Sequence, residues 1–168
     1  FREVLGGDRV SVGCLLEAVG GLDVEVVATL NAEQLAGVSG VPDNVRVVDF
    51  VSLNELLPSC SAVVHQGGFG QVQTALAHGV PQIVLPNGLW DTVPMARGLQ
   101  RAGAALYAPE PDRITAAELR EMLESVLDDP SFAERTACLR HEIQGMPTPA
   151  GIVPVLEKLT EEHRGPRN

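Results

Sequence analysis

The chain is short of positive charge, of cysteine and of long apolar runs. Its 168 residues carry 12 Lys and Arg against 22 Asp and Glu, a net charge of −10. A polynucleotide partner wants a basic face, so this balance speaks against nucleic acid. It leaves room for a small anion held by a few local dipoles. The three cysteines, Cys14, Cys60 and Cys138, are odd in number and far apart, which speaks against a disulfide framework and offers no metal-ligand spacing. No apolar run is long enough to cross a bilayer, and no charged start leads into an apolar signal segment. Cytoplasmic residence is the simplest reading. Internal repeats and low-complexity linkers are also missing. The chain begins Phe1-Arg2-Glu3 without an initiator methionine, which reads as a fragment, or as a chain with a disordered or removed N-terminal part. What is present is 45% hydrophobic residues, the content of one globular domain.

The apolar residues fall into an alternating pattern. Ser11 can cap a helix carrying Val12, Leu15, Leu16 and Val19, closed by Gly20-Gly21. β-Branched runs predict strands over residues 23–30, 45–51, 61–65, 81–86 and 104–108. Helical patterns follow Ser52, cover 70–79, and run from Thr92 past Pro94, where proline near a helix start is tolerated. Thr115 and Glu118 form a capping box ahead of an apolar stripe of Leu119, Met122, Leu123, Val126 and Leu127. Two more helices follow, over 131–144 and 149–162, with a frayed tail after them. The fold class is therefore α/β: a Rossmann-like parallel sheet with helices on both faces and a helical C-terminal segment. Such sheets bind ligands outside the carboxyl ends of their strands.

One such end carries the sequence "AVVHQGGFGQVQTALAHGVPQIVLPN", residues 62–87. A strand, then Gly67-Gly68-Phe69-Gly70, then a helix is the geometry of a phosphate cradle. Glycine lets backbone approach a ligand closely. Free N–H groups of the helix's first turn and the helix dipole favour an anion. His65 can donate a hydrogen bond or carry positive charge beside a phosphate. The alternative is a tight strand–helix turn around a buried, satisfied histidine. The dinucleotide pattern Gly-x-Gly-x-x-Gly and the Gly-Lys-Ser/Thr of a P-loop are both absent. Asp91, after the next strand, can accept hydrogen bonds from sugar hydroxyls or serve as a solvated N-cap. Trp90 reads as packing under that loop, His78 as structural or surface, and the cysteines as small hydrophobes.

The string "HQGGFGQVQTALAHGVPQIVLP…WD" resembles the donor-binding signature of nucleotide-sugar-dependent glycosyltransferases of the GT-B fold. It is most similar to the bacterial branch that attaches deoxysugars to polyketide antibiotics. "REVLGGDRVSV…LLEAV…LDVEVVATL" and "NVRVVDFVSLNELLPSC" resemble the same branch's C-terminal domain, in the same order, so the resemblance covers nearly the whole chain. It implies that His65 contacts the donor pyrophosphate and that backbone N–H groups around Gly67, Gly68, Gly70 and Gln71 hold the phosphates. It implies that Phe50, Val51 and Leu53 present backbone to the nucleobase, and that Asp91 binds sugar hydroxyls, with Thr92 at the second sugar contact. The sequence departs from the pattern at Gln66, for a second histidine, at Gln71, for Thr or Ser, and at Thr92, for Gln. Gln73 stands where UDP-using relatives carry a ribose-binding Glu, which favours dTDP over UDP.

The implied function is the donor half of a transferase that moves a deoxysugar from a dTDP-sugar to a polyketide-type acceptor with inversion. The resemblance places the acceptor pocket and general base in the protein's own N-terminal domain, and a first sheet strand before this chain. No catalytic residue is then in this chain beyond leaving-group support from His65. No cofactor or metal is implied, since the helix dipole and His65 can take that role. Some relatives use an auxiliary activator protein, and a homodimer is the other partner to consider; the last helix is expected to cross to the missing domain. The competing readings are a nucleotide-sugar epimerase on the same fold, a non-catalytic partner or regulatory module, and a flavodoxin-like domain binding something else.

Overall fold

A computed structural model of the chain describes residues 10–164. The readings of Phe1-Arg2-Glu3, of the stretch up to Arg9 and of the last four residues lie outside the described residues. Helix α1 (Val12–Val19) starts where Ser11 accepts from the Cys14 N–H at 3.1 Å. Then come β1 (Val26–Thr29), α2 (Ala32–Ala36), β2 (Val45–Val48), and α3 (Leu53–Leu56) running into a 3-10 turn at Leu57–Ser59. The centre of the molecule is β3 (Val63–His65), α4 (Phe69–His78), β4 (Gln82–Val84), α5 (Thr92–Arg101) and β5 (Ala105–Tyr107). Helices α6 (Ala116–Asp128), α7 (Pro130–Gly145) and α8 (Pro149–Glu162) close the order. The expected α/β alternation is present, with shorter strands: β1 stops at Thr29 and β2 at Val48, so Phe50 and Val51 lie in the loop beyond. Helix α2 was not anticipated. Its signal was Asn31-x-x-Gln34, a reciprocal capping box with bonds of 2.8 and 3.1 Å.

All strand pairs are parallel, in two ladders: β1 with β2, and β3-β4-β5 with β4 in the middle. Side chains alternate across β4 because successive Cβ atoms point to opposite faces. Ile83 and Leu85 pack with Ala18 of α1 and with Leu119, Leu123 and Val126 of α6. Val84 packs instead with Val72 and Leu76 of α4 and with Ala96 and Leu99 of α5. Helix α7 lies outside that second layer, its Leu139 and Ile143 joining the same cluster. Each large apolar side chain so buried contributes on the order of 2 kcal/mol. Helix α8 differs: none of its residues is buried, and Val153, Val155, Leu156 and Leu159 are all exposed.

The α1–β1 connection is stitched to β2 by one side chain. The Asn44 amide nitrogen lies 3.0, 3.2 and 3.1 Å from the carbonyl oxygens of Val19, Leu22 and Val24. Its backbone carbonyl accepts from Val26 N–H at 2.8 Å, so one residue sets the start of both strands. Removing it strands carbonyls in a half-buried turn. Asn44→Ala is expected to lower stability by about 1–3 kcal/mol. The check is the urea midpoint, with the slope of the unfolding transition unchanged.

Candidate functional site

The loop between β3 and α4 is fixed by steric and hydrogen-bonding constraints that differ at each glycine. Gly67 has φ +83°, and a Cβ there would sit 3.0 Å from Val84 Cγ1 and 3.4 Å from Thr92 Cβ. Only glycine fits both the conformation and the space. Gly68 is the N-cap of α4, and a Cβ on it would meet the Oε1 of Gln71 at 3.1 Å. Gly70, in the first turn, has open space where its Cβ would be, so nothing among the described residues requires glycine there. The helix's ladder begins with Val72 N–H donating to Gly68 C=O at 3.0 Å. The N–H groups of Phe69, Gly70 and Gln71 therefore point out of the helix end, where the dipole adds positive potential.

His65 ends β3, facing away from solvent at 7% exposure. Its Nδ1 accepts from Gly67 N–H at 2.9 Å, and its Nε2 lies 2.8 Å from Gln82 Oε1. Burial pushes its pKa down, against a smaller opposing effect of the Gln82 hydrogen bond. The Gly67 N–H occupies the Nδ1 lone pair, the arrangement of a neutral ring, and protein groups take both of its nitrogens. The sequence left three roles open for His65: a hydrogen-bond donor, a positive charge beside a phosphate, or a buried, satisfied histidine; the last describes this ring as it stands in the structure. The expectation for Gly67 is corrected: its N–H is spent on His65 rather than free for an anion.

The loop after β4 lies against the glycine loop, with Thr92 packed behind Gly67. Thr92 is buried, and its hydroxyl donates to Leu89 C=O at 2.8 Å, with Asn87 Oδ1 at 3.4 Å. Asn87 Oδ1 also accepts from Leu89 N–H at 3.0 Å. Thr92 thus pins the turn, at the position where the resemblance has Gln and a second sugar contact. Asp91 is exposed at the N-cap position of α5, yet its carboxylate makes no capping bond. Trp90, expected to pack under this loop, is 84% exposed and holds φ +49°, unusual for a bulky residue. Phe69, which sequence reasoning passed over, is 70% exposed at the first position of α4. The signal was there: an aromatic residue in the open position of Gly-Gly-x-Gly.

The remaining predicted residues are placed differently. Phe50 is 86% exposed in the loop after β2. Leu53 packs with Leu57, Ala75 and Val80. Its neighbour Asn54 meets His78 Nε2 at 3.0 Å, so this segment's anchors lie at the far end of α4 from the glycine loop. Gln71 and Gln73 are exposed on α4, and Gln66 is half-buried. Cys138 is exposed on α7, unlike the half-buried Cys14 and Cys60. Among the described residues no group of three His, Cys, Asp or Glu is disposed to hold a metal ion, and no helix is long and apolar enough to cross a membrane.

Residues 13–159 match the family described as erythromycin biosynthesis protein CIII-like, C-terminal domain. The chain is 60% identical over 166 residues to aclacinomycin-T 2-deoxy-L-fucose transferase of Streptomyces galilaeus, covering 99% of this chain and 38% of that protein. It is 48% identical over 165 residues to 10-deoxymethynolide desosaminyltransferase of Streptomyces venezuelae, covering 98% and 38%. Among solved structures, glycosyltransferase VinC in complex with dTDP superposes with a TM-score of 0.82 at 40% identity, covering 91% of this chain and 38% of that one. The chain thus spans about two fifths of the length of the curated relatives it matches.

The buried ring has a consequence for stability. His65's folded pKa is lowered below its ordinary 6.5, so the unfolded chain takes up the proton first. The stabilisation is complete above pH 6.5 and is lost as pH falls from there toward the folded value. Exposed Glu118 and Asp129, with pKa values lowered by hydrogen bonds from Thr115 and Ser131, act only below the ordinary carboxylate values of 4.5 and 3.8. Melting temperature is therefore expected to fall as pH drops from 6.5 to 5, and His65→Gln is expected to flatten that slope. Thermal scans of both proteins across this window are the check.

Proposed function

The chain belongs to the erythromycin biosynthesis protein CIII-like C-terminal domain family, and we propose that it is the donor-binding part of a glycosyltransferase that moves a deoxysugar from a dTDP-sugar to a polyketide-type acceptor. The observation that carries this reading is the start of α4. Three outward N–H groups and a helix dipole meet bare backbone at Gly70, a glycine that the packing of the described residues does not need. A diphosphate supplies the missing reason, because it needs close approach to those N–H groups. The relatives, a deoxyfucose transferase and a desosaminyltransferase, and dTDP in the VinC complex support the sugar and nucleotide classes. Exposed Asp91 is free to accept from sugar hydroxyls.

In the proposed reaction an acceptor hydroxyl attacks C1 of the sugar while a base outside this chain takes its proton. The bond from C1 to the diphosphate oxygen breaks with inversion. Negative charge collects on the leaving diphosphate, where the N–H groups of Phe69, Gly70 and Gln71 face it. Neither metal nor cofactor enters the proposal. The acceptor site and base belong to an N-terminal portion of the protein. A strand from that portion would complete the sheet between β1 and β3, which do not pair with each other, and α8 would lay its exposed apolar residues against that portion. A cytoplasmic enzyme fits this chemistry.

Gly70→Ala separates ligand binding from folding. Alanine raises helix propensity by about 1 kcal/mol and meets no protein atom, so stability is expected to hold or rise. Affinity for thymidine diphosphate is expected to fall at least about ten-fold, since a methyl group would stand between ligand and backbone. Isothermal titration of both proteins reads this directly, and equal affinities would end the proposal. UDP is expected to bind more weakly than dTDP, and the chain alone to transfer no sugar.

A further inference from the structure

Gln82 is an oddity in the core. It lies on β4 with no exposed surface, in a run where every neighbour from Pro81 to Pro86 is also buried. Its Nε2 has no hydrogen-bond partner among the described residues. Burying an unpaired amide nitrogen is unfavourable, and an apolar side chain of similar length would avoid that penalty. The use of this residue must then lie with its other atom, Oε1.

The hydrogen bonds around His65 say what that use is. A backbone N–H can only donate, so the Gly67 N–H, 2.9 Å from Nδ1, requires that Nδ1 be unprotonated. The proton of the neutral ring is then on Nε2. The atom of Gln82 that lies 2.8 Å from Nε2 must accept, which fixes the amide with its oxygen toward the ring. The parallel register sets His65 opposite Val84, which makes Gln82 its diagonal neighbour on β4, within reach of a long side chain. One unambiguous donor, Gly67 N–H, thus determines the tautomer, and the tautomer determines the glutamine.

We propose that Gln82 is a positioning residue: its carbonyl locks the His65 ring with the proton on Nε2, and the Nδ1 lone pair holds Gly67 in its left-handed turn at the entrance to α4. Gly67 leads directly into Gly68, the N-cap that orients the N–H groups of Phe69, Gly70 and Gln71. Without the glutamine oxygen, the ring is free to move its proton to Nδ1, and Nδ1 then turns a donor toward the Gly67 donor. The loop loses its anchor from behind. That this loop holds a diphosphate rests on the function proposed above; the anchoring itself does not.

Gln82→Met keeps length and apolar volume and removes the acceptor. Nitrogen-15 NMR of the histidine side chains in the 168-residue chain reads the tautomer. Amide hydrogen exchange reads Gly67, and both run without ligand. The wild-type ring is expected to be neutral and protonated on Nε2. In the methionine variant the tautomers are expected to mix, Gly67 N–H to exchange about ten-fold faster, and thymidine diphosphate affinity to drop by a similar factor. A mere space-filling role predicts that methionine leaves the ring signature unchanged, and that result overturns the proposal. So does a wild-type ring protonated on Nδ1, a measurement that needs no variant to fold. So does a lost signature with unchanged exchange at Gly67. If wild type fails to bind thymidine diphosphate, the proposed function falls, while the ring and amide readouts still decide the role of Gln82.

Discussion

The structure depends on the double-sided burial of one short strand. β4 sits between β3 and β5 and is closed to solvent along its whole length, with buried residues continuing to Pro86. Its odd-numbered residues face α1 and α6, its even-numbered residues α4 and α5. A one-residue slip would send Gln82 into the α6 layer and Ile83 toward His65, so the register is strongly specified. That register carries the site. Leu85 N–H donates to His65 C=O at 2.9 Å, Val84 sets the floor under Gly67, and the chain leaving β4 returns Thr92 against the same glycine. The support of the glycine loop is core.

The alternation of elements was legible because short β-branched runs and amphipathic stretches are separated by turn chemistry. The N-cap at Ser11, the capping box at Thr115 and the glycine stop at Gly79 all stand where their local logic puts them. Strand ends were less legible: Phe50 and Val51 extend the β-prone run of 45–48 past Asp49, and the partner strand decides where pairing stops. The division into two ladders was not legible from periodicity, which says which residues are buried but not which edges meet. Helix α8 shows the converse limit. Its pattern reads as helical in sequence, but its exposed apolar residues meet no partner within residues 10–164 that buries them.

At the site, the residue types were legible and the atoms were not. A histidine followed by three glycines marked the right turn. Composition cannot say that Gly67 is required by φ and by Val84, whereas Gly70 is required by neither. Nor can it say that Thr92 turns its hydroxyl inward to Leu89, because a threonine after an aspartate looks equally apt to face a ligand. For the histidine the sequence left the charge state open, because its reference pKa permits either. Burial favours the neutral ring, against a smaller opposing effect of the Gln82 hydrogen bond, and the Gly67 N–H bonded to Nδ1 points the same way. Gln82 stands within the string that carries the resemblance, but its role was not legible, since a single polar residue in a strand usually marks a solvated face.

A neutral histidine changes how an acidic protein can hold an anion. With a net charge of −10, the chain offers no general attraction for a diphosphate, and His65 adds no formal charge. What remains is the end of α4, worth roughly half an elementary charge and expressed through N–H groups fixed in direction. Such dipoles are effective only when preorganised, because a floppy loop would spend the attraction on ordering itself. The structure puts its stiffness where that requirement is greatest: an αL glycine wedged against Val84, a ring bonded at both nitrogens, and a buried strand behind them. The histidine's part in such a site is to be immovable rather than charged, and a fully buried partner on the central strand is the most direct way to make it so.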